Sequence, residues 1–424
     1  MTPPPSDNRA QPALPDFLRS CLRVGLLSFG GPAAQIAVMH REFVEDRAWM
    51  EEEDFLSALS FCMMLPGPEA MQLATFSGWR LRGTFGGIIS GLFFVLPGAL
   101  VMLALAAVYA AYGHLPATSA LFLGVKATVV LVVLQALVRL GRKALGTRDR
   151  WFLAILSFIA IFFIGIPFPA IVICAAVFGW LTWRGVRGPE VSVPSAGHLP
   201  RTIAIWGGLW GAPLLFLAGT GQSRLLEIGV FFSKLAVVTF GGAYAVLAYM
   251  SQQVVRDKAW LSADAMLDGL GLAETTPGPL ILVTEFVGYM AATPLGLWGG
   301  VAGAAITLWV TFVPCFLWIF AGAPYIDWIA TQPRLSAALK AITASVVGVI
   351  ASLSLWFAVH VFFATVDTAN FGPLHFLFPT FSSVDWNAVA LAVIAAALLF
   401  ILRQGLIVTI ATMAIAGLVV GSIF

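Results

Sequence analysis

The chain contains the same stretch of sequence twice. Residues 29–68 and 240–279 align without a gap at a constant offset of 211, and 15 of the 40 pairs are identical. The anchors are Phe29-Gly30-Gly31 with Phe240-Gly241-Gly242, Asp46-Arg47-Ala48-Trp49 with Asp257-Lys258-Ala259-Trp260, and Pro66-Gly67-Pro68 with Pro277-Gly278-Pro279. Gene doubling alone makes pseudo-symmetric bundles, but helix breakers at matched places in both halves are typical of a transporter's binding site.

Composition places the repeat in a membrane. Hydrophobic residues make up 60% of the chain and charged residues only 10%, against about 25% charged in soluble proteins. Apolar stretches of about 20 residues recur along the whole sequence, which is the length a membrane helix needs. We therefore expect an all-α polytopic membrane protein with about 10–13 membrane segments, in which 55–79 and 265–290 either span or are re-entrant.

The order of these segments predicts an inverted repeat. Each half has six segments, and an unpaired extra segment at 203–218 turns the second half upside down. We expect a disordered tail at 1–16, a first repeat at 17–184, a linker with the extra segment at 185–224, and a second repeat at 225–424. The positive-inside rule places 139–150 in the cytoplasm and 113–116, 165–167, 291–295 and 364–385 outside. Thirteen crossings would put 251–263 inside and its repeat partner 40–54 outside, which fits the rule poorly for 40–54.

Several functional classes find no support in the sequence. The four cysteines and five histidines are scattered without metal-binding spacing, no phosphate-binding Gly-x-x-x-x-Gly-Lys-Ser/Thr motif occurs, and no basic patch suits a nucleic acid. We expect no metal, no cofactor and no enzymatic activity. Energy must then come from a gradient or a partner.

The Pro-Gly-Pro motifs at 66–68 and 277–279 interrupt apolar segments. Proline lacks an N–H group and glycine relaxes the backbone, so a helix should stop near Leu65 and restart at Pro68. The restart leaves N–H groups without partners at the positive end of a half-helix, which suits an anion. A simple kink is the alternative for one such motif, whereas two matched motifs favour a substrate site at Pro66, Gly67, Pro68, Pro277, Gly278 and Pro279.

The Phe-Gly-Gly motifs form a second matched break. Phe29, Gly30, Gly31, Phe240, Gly241 and Gly242 are candidates to line the same site. Close helix packing through glycine is the alternative explanation.

Polar residues at membrane depth complete the candidate site. Charges inside a membrane are expensive and indicate function by default. The candidates are Glu69, Gln72, Lys126, Glu274, Thr275 and Thr276. For Lys126 the alternative is a structural ion pair with Glu69, Glu274 or Glu285, and Glu69 could instead only stabilise a helix start.

These motifs resemble the chromate ion transporter family in its long-chain, two-domain form. The matching stretches are Phe29-Gly30-Gly31-Pro32, Leu65-Pro66-Gly67-Pro68-Glu69-Ala70, Gln72-Leu73-Ala74, Val95-Leu96-Pro97-Gly98, Thr239-Phe240-Gly241-Gly242-Ala243-Tyr244, Ala273-Glu274-Thr275-Thr276-Pro277-Gly278-Pro279-Leu280 and Trp309-Val310-Thr311-Phe312-Val313-Pro314-Cys315. The resemblance covers residues 17–424. It implies export of chromate across the bacterial inner membrane and chromate resistance.

Other functions on the same sequence remain open at this point. Some members of such a family could carry sulfate or another oxyanion, an intramembrane enzyme would need a catalytic constellation that does not occur, and a scaffold would not need matched breaks. The expected partners are chromate, with sulfate as the alternative, the lipid bilayer and a second copy in a homodimer.

Overall fold

The structure, a computed structural model, describes residues 11–183, 197–240, 243–372 and 374–423. These residues form seventeen α-helices and one β-hairpin. The helices are α1 (Leu14–Leu27), α2 (Gly31–His40), α3 (Glu52–Cys62), α4 (Glu69–Tyr112), α5 (Pro116–Ala144), α6 (Arg148–Phe162), α7 (Phe168–Thr182), α8 (Leu199–Gly219), α9 (Ser223–Val238), α10 (Ala243–Ser251), α11 (Ala263–Thr275), α12 (Val283–Ala292), α13 (Gly296–Gly322), α14 (Ile326–Ala330), α15 (Pro333–Phe362), α16 (Trp386–Ala396) and α17 (Leu406–Ile423). The all-α expectation is confirmed apart from the hairpin, whose strands β1 (Val366–Phe371) and β2 (Leu374–Pro379) pair antiparallel.

Five stretches of the described chain are long and apolar enough to cross a membrane. They are Glu69–Tyr112, Pro116–Ala144, Leu199–Gly219, Leu280–Tyr325 and Pro333–Phe362. The first is a merger of two helices, because Arg82 and Gly83 leave the helical conformation. The piece of α4 before this kink has about 13 residues and a length of about 20 Å, which is shorter than the bilayer core of about 30 Å.

The expected tail and linker fall partly outside the described residues. Residues 1–10 and 184–196 are not described, and α1 begins at Leu14, so the tail predicted for 1–16 is wrong for its last three residues. The unpaired segment expected at 203–218 is α8.

The duplication is visible in local geometry. Each repeat contains a π-helical turn, at Arg41–Asp46 and at Gln252–Asp257. Each turn is followed by an alanine with positive φ, Ala48 at 50° and Ala259 at 49°. Each alanine precedes a tryptophan that packs under a cation, with Arg47 over Trp49 and Lys258 over Trp260. Equal sequence therefore produces equal structure even in unusual backbone conformations.

The helices group into two compact units that do not coincide with the repeats. The first unit takes in the described parts of Met1–Ala107, Arg184–Ala243 and Thr276–Ser336, and the second those of Val108–Trp183, Tyr244–Thr275 and Ala337–Phe424. In the first unit α12 packs along α13, and α13 also contacts α8 and α9. Trp206 of α8 stacks on Phe316 of α13 at 5.2 Å between ring centroids.

In the second unit α5 is the central helix. It packs against α11, α16 and α17, and its Gly124 approaches the carbonyl of Met413 on α17 so closely that a Cβ atom would overlap it. Ala127, Leu391, Ala395 and Met413 form the core between these helices. Small residues thus bring α5 and α17 together, as is common between membrane helices.

The faces expected for 251–263 and for the turn at 165–167 conflict with each other in the structure. In the second unit Arg256 lies near the Gly165 turn, and α11 begins beside Lys126, with Asp268 bound to Tyr109. The turns at 165–167 and 113–116 adjoin these residues, and both were assigned to the outside. The π-turn at 252–257 therefore lies beside a turn that the sequence assigns to the opposite face, and the face that the two share stays a prediction. The number of crossings depends on whether the broken segments span the membrane or are re-entrant.

The inverted repeat can be tested by labelling equivalent positions. Glu51→Cys and Ser262→Cys stand 211 residues apart, and an inverted repeat places them on opposite faces. In a Cys174→Ser background, which removes the exposed native thiol and leaves three buried ones, we expect an impermeant maleimide to label Ser262→Cys from outside and Glu51→Cys only in everted vesicles. Labelling of both from one side would mean a parallel repeat.

Candidate functional site

Both Pro-Gly-Pro motifs break a helix, as the sequence predicts. In the first repeat α3 ends at Cys62 and α4 starts at Glu69. In the second, α11 ends at Thr275, and a short 3₁₀ turn at Leu280–Leu282 leads into α12. The central glycines have φ of 116° at Gly67 and 87° at Gly278, the left-handed region that residues with a Cβ atom avoid. Glycine is therefore required at both positions by backbone conformation.

Two equivalent hydrogen bonds hold the breaks, and each of them joins one repeat to the other. Gly67 donates its N–H to the carbonyl of Thr239 at 2.9 Å, and Gly278 donates to the carbonyl of Ser28 at 2.8 Å. The offset of 211 converts one bond into the other. Ser28 and Thr239 precede the two Phe-Gly-Gly motifs, so each Pro-Gly-Pro break docks on the Phe-Gly-Gly break of the other repeat. All four residues belong to the first unit.

The long helix of each repeat covers the break of the other. A Cβ atom at Gly98 of α4 would overlap the carbonyl of Pro277, and a Cβ atom at Gly67 would lie 3.1 Å from Sγ of Cys315 on α13. Gly98 and Cys315 are equivalent at the offset of 217 that also relates Pro97 to Pro314. The pairing of one repeat with the other thus includes the long helices that pack on the breaks as well as the breaks themselves.

Two buried glutamines fix the carbonyl groups of the breaks. Nε2 of Gln72 donates to the carbonyl of Pro66, and Nε2 of Gln35 donates to the carbonyl of Gly278, each at 2.6 Å. The Oε1 atom of each is buried without a hydrogen-bond partner among the described residues. Gln72 is among the site residues that the sequence predicts, and Gln35 is not. The signal that could have found Gln35 is a lone polar residue one turn after the first Phe-Gly-Gly motif. The equivalent residue of the second repeat is Val246.

The acidic candidates separate between the two units. Glu285 on α12 is 1% exposed and its Oε2 atom has no partner in the described chain, while Glu69 is half-buried at the start of α4. Glu274 belongs to the second unit, where it accepts a hydrogen bond of 3.0 Å from Tyr244. Thr275 there donates to the carbonyl of Leu272, and Thr276, in the first unit, is buried. Glu69 and Glu285 therefore lie with the breaks in the first unit.

The first Phe-Gly-Gly motif is a break rather than a packing contact. Gly30 and Gly31 have φ of 84° and 80°, and a Cβ atom at Gly31 would meet no atom within 4 Å. The chain turns here between α1 and α2, beside the half-buried Phe29. Gly241 and Gly242 lie outside the described residues, and Phe240, half-buried, precedes them.

Lys126 is part of an ion cluster in the second unit. Its Nζ atom lies 2.7 Å from Oδ1 of Asp264 and 3.3 Å from Oδ1 of Asp268, and Tyr109 donates to Oδ2 of Asp268 at 2.7 Å. The structural ion pair is thus confirmed in kind, but its acids are on α11 and not the three that the sequence suggested. Two carboxylates already neutralise the ammonium group, and its role in substrate binding stays a prediction.

Comparison with known proteins identifies the family. The family described as chromate transporter matches residues 16–180 and 226–418. The chain belongs to the chromate transporter family. A chromate transport protein of Pseudomonas aeruginosa is 32% identical over 350 residues, which is 80% of this chain and 80% of that protein. A probable chromate transport protein of Synechococcus elongatus is 31% identical over 78% of this chain and 81% of its own length.

Shorter relatives match only part of the chain. The transporter YwrB of Bacillus subtilis is 34% identical over 152 residues, which is 36% of this chain but 76% of YwrB. No solved structure matches the chain significantly. With its family membership and its apolar helices, the chain is a multi-pass protein of the bacterial inner membrane, and its named relatives are transport proteins rather than enzymes.

The ion cluster around Lys126 predicts a stability effect. Lys126→Ala leaves the buried Asp268 without its cation, and breaking a buried pair costs about 3–5 kcal/mol. We expect a clearly lower Tm for the detergent-purified protein, partly restored when Asp268→Asn is added. Arg142→Ala, at the exposed end of the same helix, is the control. An unchanged Tm for Lys126→Ala would show that the cluster does not stabilise the fold.

Proposed function

We propose that this protein exports chromate from the cytoplasm across the inner membrane and so confers chromate resistance. The observation that carries the proposal is the exchanged pair of hydrogen bonds, from Gly67 to Thr239 and from Gly278 to Ser28. These bonds bring the two Pro-Gly-Pro breaks and the residues before the two Phe-Gly-Gly motifs together inside one unit of an otherwise apolar chain. Irregular backbone at membrane depth is tolerated where it is buried in protein or lines a cavity.

The chemistry of chromate fits such a site. Chromate is a tetrahedral dianion, which N–H groups at a helix start bind well. The N–H groups of Gly67 and Gly278 hold the breaks themselves, and that of Leu282 donates to the carbonyl of Pro279. The donors proposed for the anion are therefore those of the first turn of α4, at Ala70 and Met71, and of Leu280 and Ile281.

The membrane potential supplies enough energy for export. An inside-negative potential pushes anions out with about 2.3 kcal/mol per charge per 100 mV. For a dianion this is about 4.6 kcal/mol, which holds a gradient of roughly three powers of ten. A carrier without an ATP site can therefore lower the cytoplasmic chromate concentration.

The break glycines provide the first test. A Cβ atom at Gly67 would lie 2.9 Å from Nε2 of Gln72, and a left-handed backbone costs a side-chain-bearing residue about 1–2 kcal/mol. We expect Gly67→Leu and Gly278→Leu to abolish radiolabelled chromate uptake into everted vesicles while the protein is still inserted. Gly208→Leu on α8, where a Cβ atom meets nothing within 4 Å, should transport normally. Normal chromate flux through Gly67→Leu would show that the break is only a kink and not a substrate site.

The driving force provides the second test. In everted vesicles we expect an interior-positive potential alone to drive chromate uptake. Glu285 lies close in sequence to the second break, and its buried Oε2 atom has no hydrogen-bond partner among the described residues. Any additional flux driven by a pH gradient should therefore disappear in Glu285→Gln, while potential-driven flux persists. Chromate flux that does not change with the membrane potential would contradict export driven by that potential.

A sulfate carrier is the second candidate, because main-chain donors recognise charge and tetrahedral shape rather than the central atom. Competition of unlabelled sulfate with labelled chromate in the same vesicles separates the two. Inhibition at equimolar sulfate would favour a general oxyanion carrier. The homodimer expected from the sequence stays a prediction.

A further inference from the structure

The second unit contains a cavity of about 360 Å³ that the proposed transport site does not use. It lies between the π-turn after α10, the end of α15, the end of α6 and the β-hairpin. Its polar lining includes Ser251, Gln252, Arg256, His360 and His375, and none of its lining residues is acidic. The lining thus contains one permanent positive charge, that of Arg256, and no carboxylate among its described residues.

Two polar groups in this lining are buried without a hydrogen-bond partner among the described residues. Ser251 is 2% exposed, and its hydroxyl group has no hydrogen-bond partner among the described residues. The Oε1 atom of Gln252 is likewise buried without a partner. Native structures leave few buried polar groups unsatisfied, and each one calls for an explanation such as a bound ion or water. Both groups line the cavity that contains Arg256.

The equivalent surface of the first repeat shows what has changed. Ala248, Ser251, Gln252 and Arg256 correspond at the offset of 211 to Ala37, His40, Arg41 and Glu45, and these four also line a cavity, in the first unit. Several groups there contact one another within the protein, with 3.2 Å between Arg23 and Glu42, 3.2 Å between His40 and Glu45, and 2.6 Å between His40 and Glu52. The second copy has Arg256 in place of Glu45 and loses this internal balance.

We propose that the cavity around Arg256 binds a small, partly hydrated oxyanion. A guanidinium group forms paired hydrogen bonds with two oxygens of such an ion, and the Ser251 hydroxyl is a further donor. Nδ1 of His360 donates to the carbonyl of Trp356 at 2.8 Å. Nε2 of the neutral ring is then an acceptor, which suits a water molecule that the anion keeps from its hydration shell.

The size of the cavity gives this site a role different from that of the breaks. Its volume equals that of roughly ten waters, so an oxyanion keeps part of its hydration. Arg256 is exposed, and it lies beside the Gly165 turn, which the sequence assigns to the outside. Resting on the proposed export function, the cavity is a vestibule that holds the anion at the outer face.

Equilibrium binding to the full-length purified protein tests the vestibule. With radiolabelled sulfate as the probe, we expect Arg256→Gln to weaken binding by about tenfold or more, because a charged hydrogen-bonding partner is lost. Ser251→Ala should weaken binding less, and Arg256→Glu, which restores the residue type of the first repeat, should abolish it. Lys258→Gln removes an equal charge two residues away, outside the lining, and should bind like the parent. Parental binding by Arg256→Gln would overturn the proposal.

Two further arms separate the alternatives. Gly67→Leu should lose chromate flux yet keep Arg256-dependent binding, and loss of this binding would move the measured site to the breaks and overturn the vestibule. If the parent transports no chromate but binds sulfate through Arg256, the export function fails and the site stands.

In nanodiscs, sulfate binding should not change when phosphatidylglycerol replaces a neutral lipid. Displacement by that lipid would show that a phosphate headgroup fills the cavity and would overturn a free oxyanion.

Discussion

The arrangement of the first unit depends on the hydrogen bonds that cross between the repeats. A break in a membrane helix frees backbone N–H and C=O groups, each of which costs several kcal/mol if it is left without a partner in an apolar environment. Here the break of one repeat satisfies the break of the other, through Gly67 with Thr239 and Gly278 with Ser28. Neither pair could form within one repeat, so the irregular backbone and the duplication stabilise each other.

This mutual dependence explains which parts of the fold the sequence predicts. The breaks follow from local chemistry, since proline and glycine act on their own backbone, and both appeared where expected. Most helix bounds follow from apolar length in the same way. The exchange between repeats is a tertiary pairing of residues about 170 or 250 positions apart, and no periodicity in the sequence records it.

Side-chain partners were harder to predict than backbone breaks. Lys126 indicated an ion pair, but its acids Asp264 and Asp268 lie near the start of α11, in a stretch read as a cytoplasmic loop and the beginning of an apolar segment. Gln35 was missed because one polar residue in an apolar run carries no motif. The faces expected for 251–263 and for the neighbouring turn at 165–167 conflict for a related reason, because the assignment depends on the number of crossings and a broken segment is not a single crossing.

The two repeats share a backbone and differ in polarity. Gln35 and Gln72 stand opposite Val246 and Val283, Gly98 opposite Cys315, and Glu45 opposite Arg256. The hydrogen bonds that hold the breaks need both copies, so the backbone is constrained in each, whereas a side chain that faces substrate or solvent is needed only once. This difference between a shared backbone and differing side chains affects which groups can bind a dianion. Lys126 is neutralised by two carboxylates, so in the proposed export function the main-chain dipoles at the breaks hold the anion. Dipoles bind less tightly than a buried cation would, and a carrier must also release its cargo.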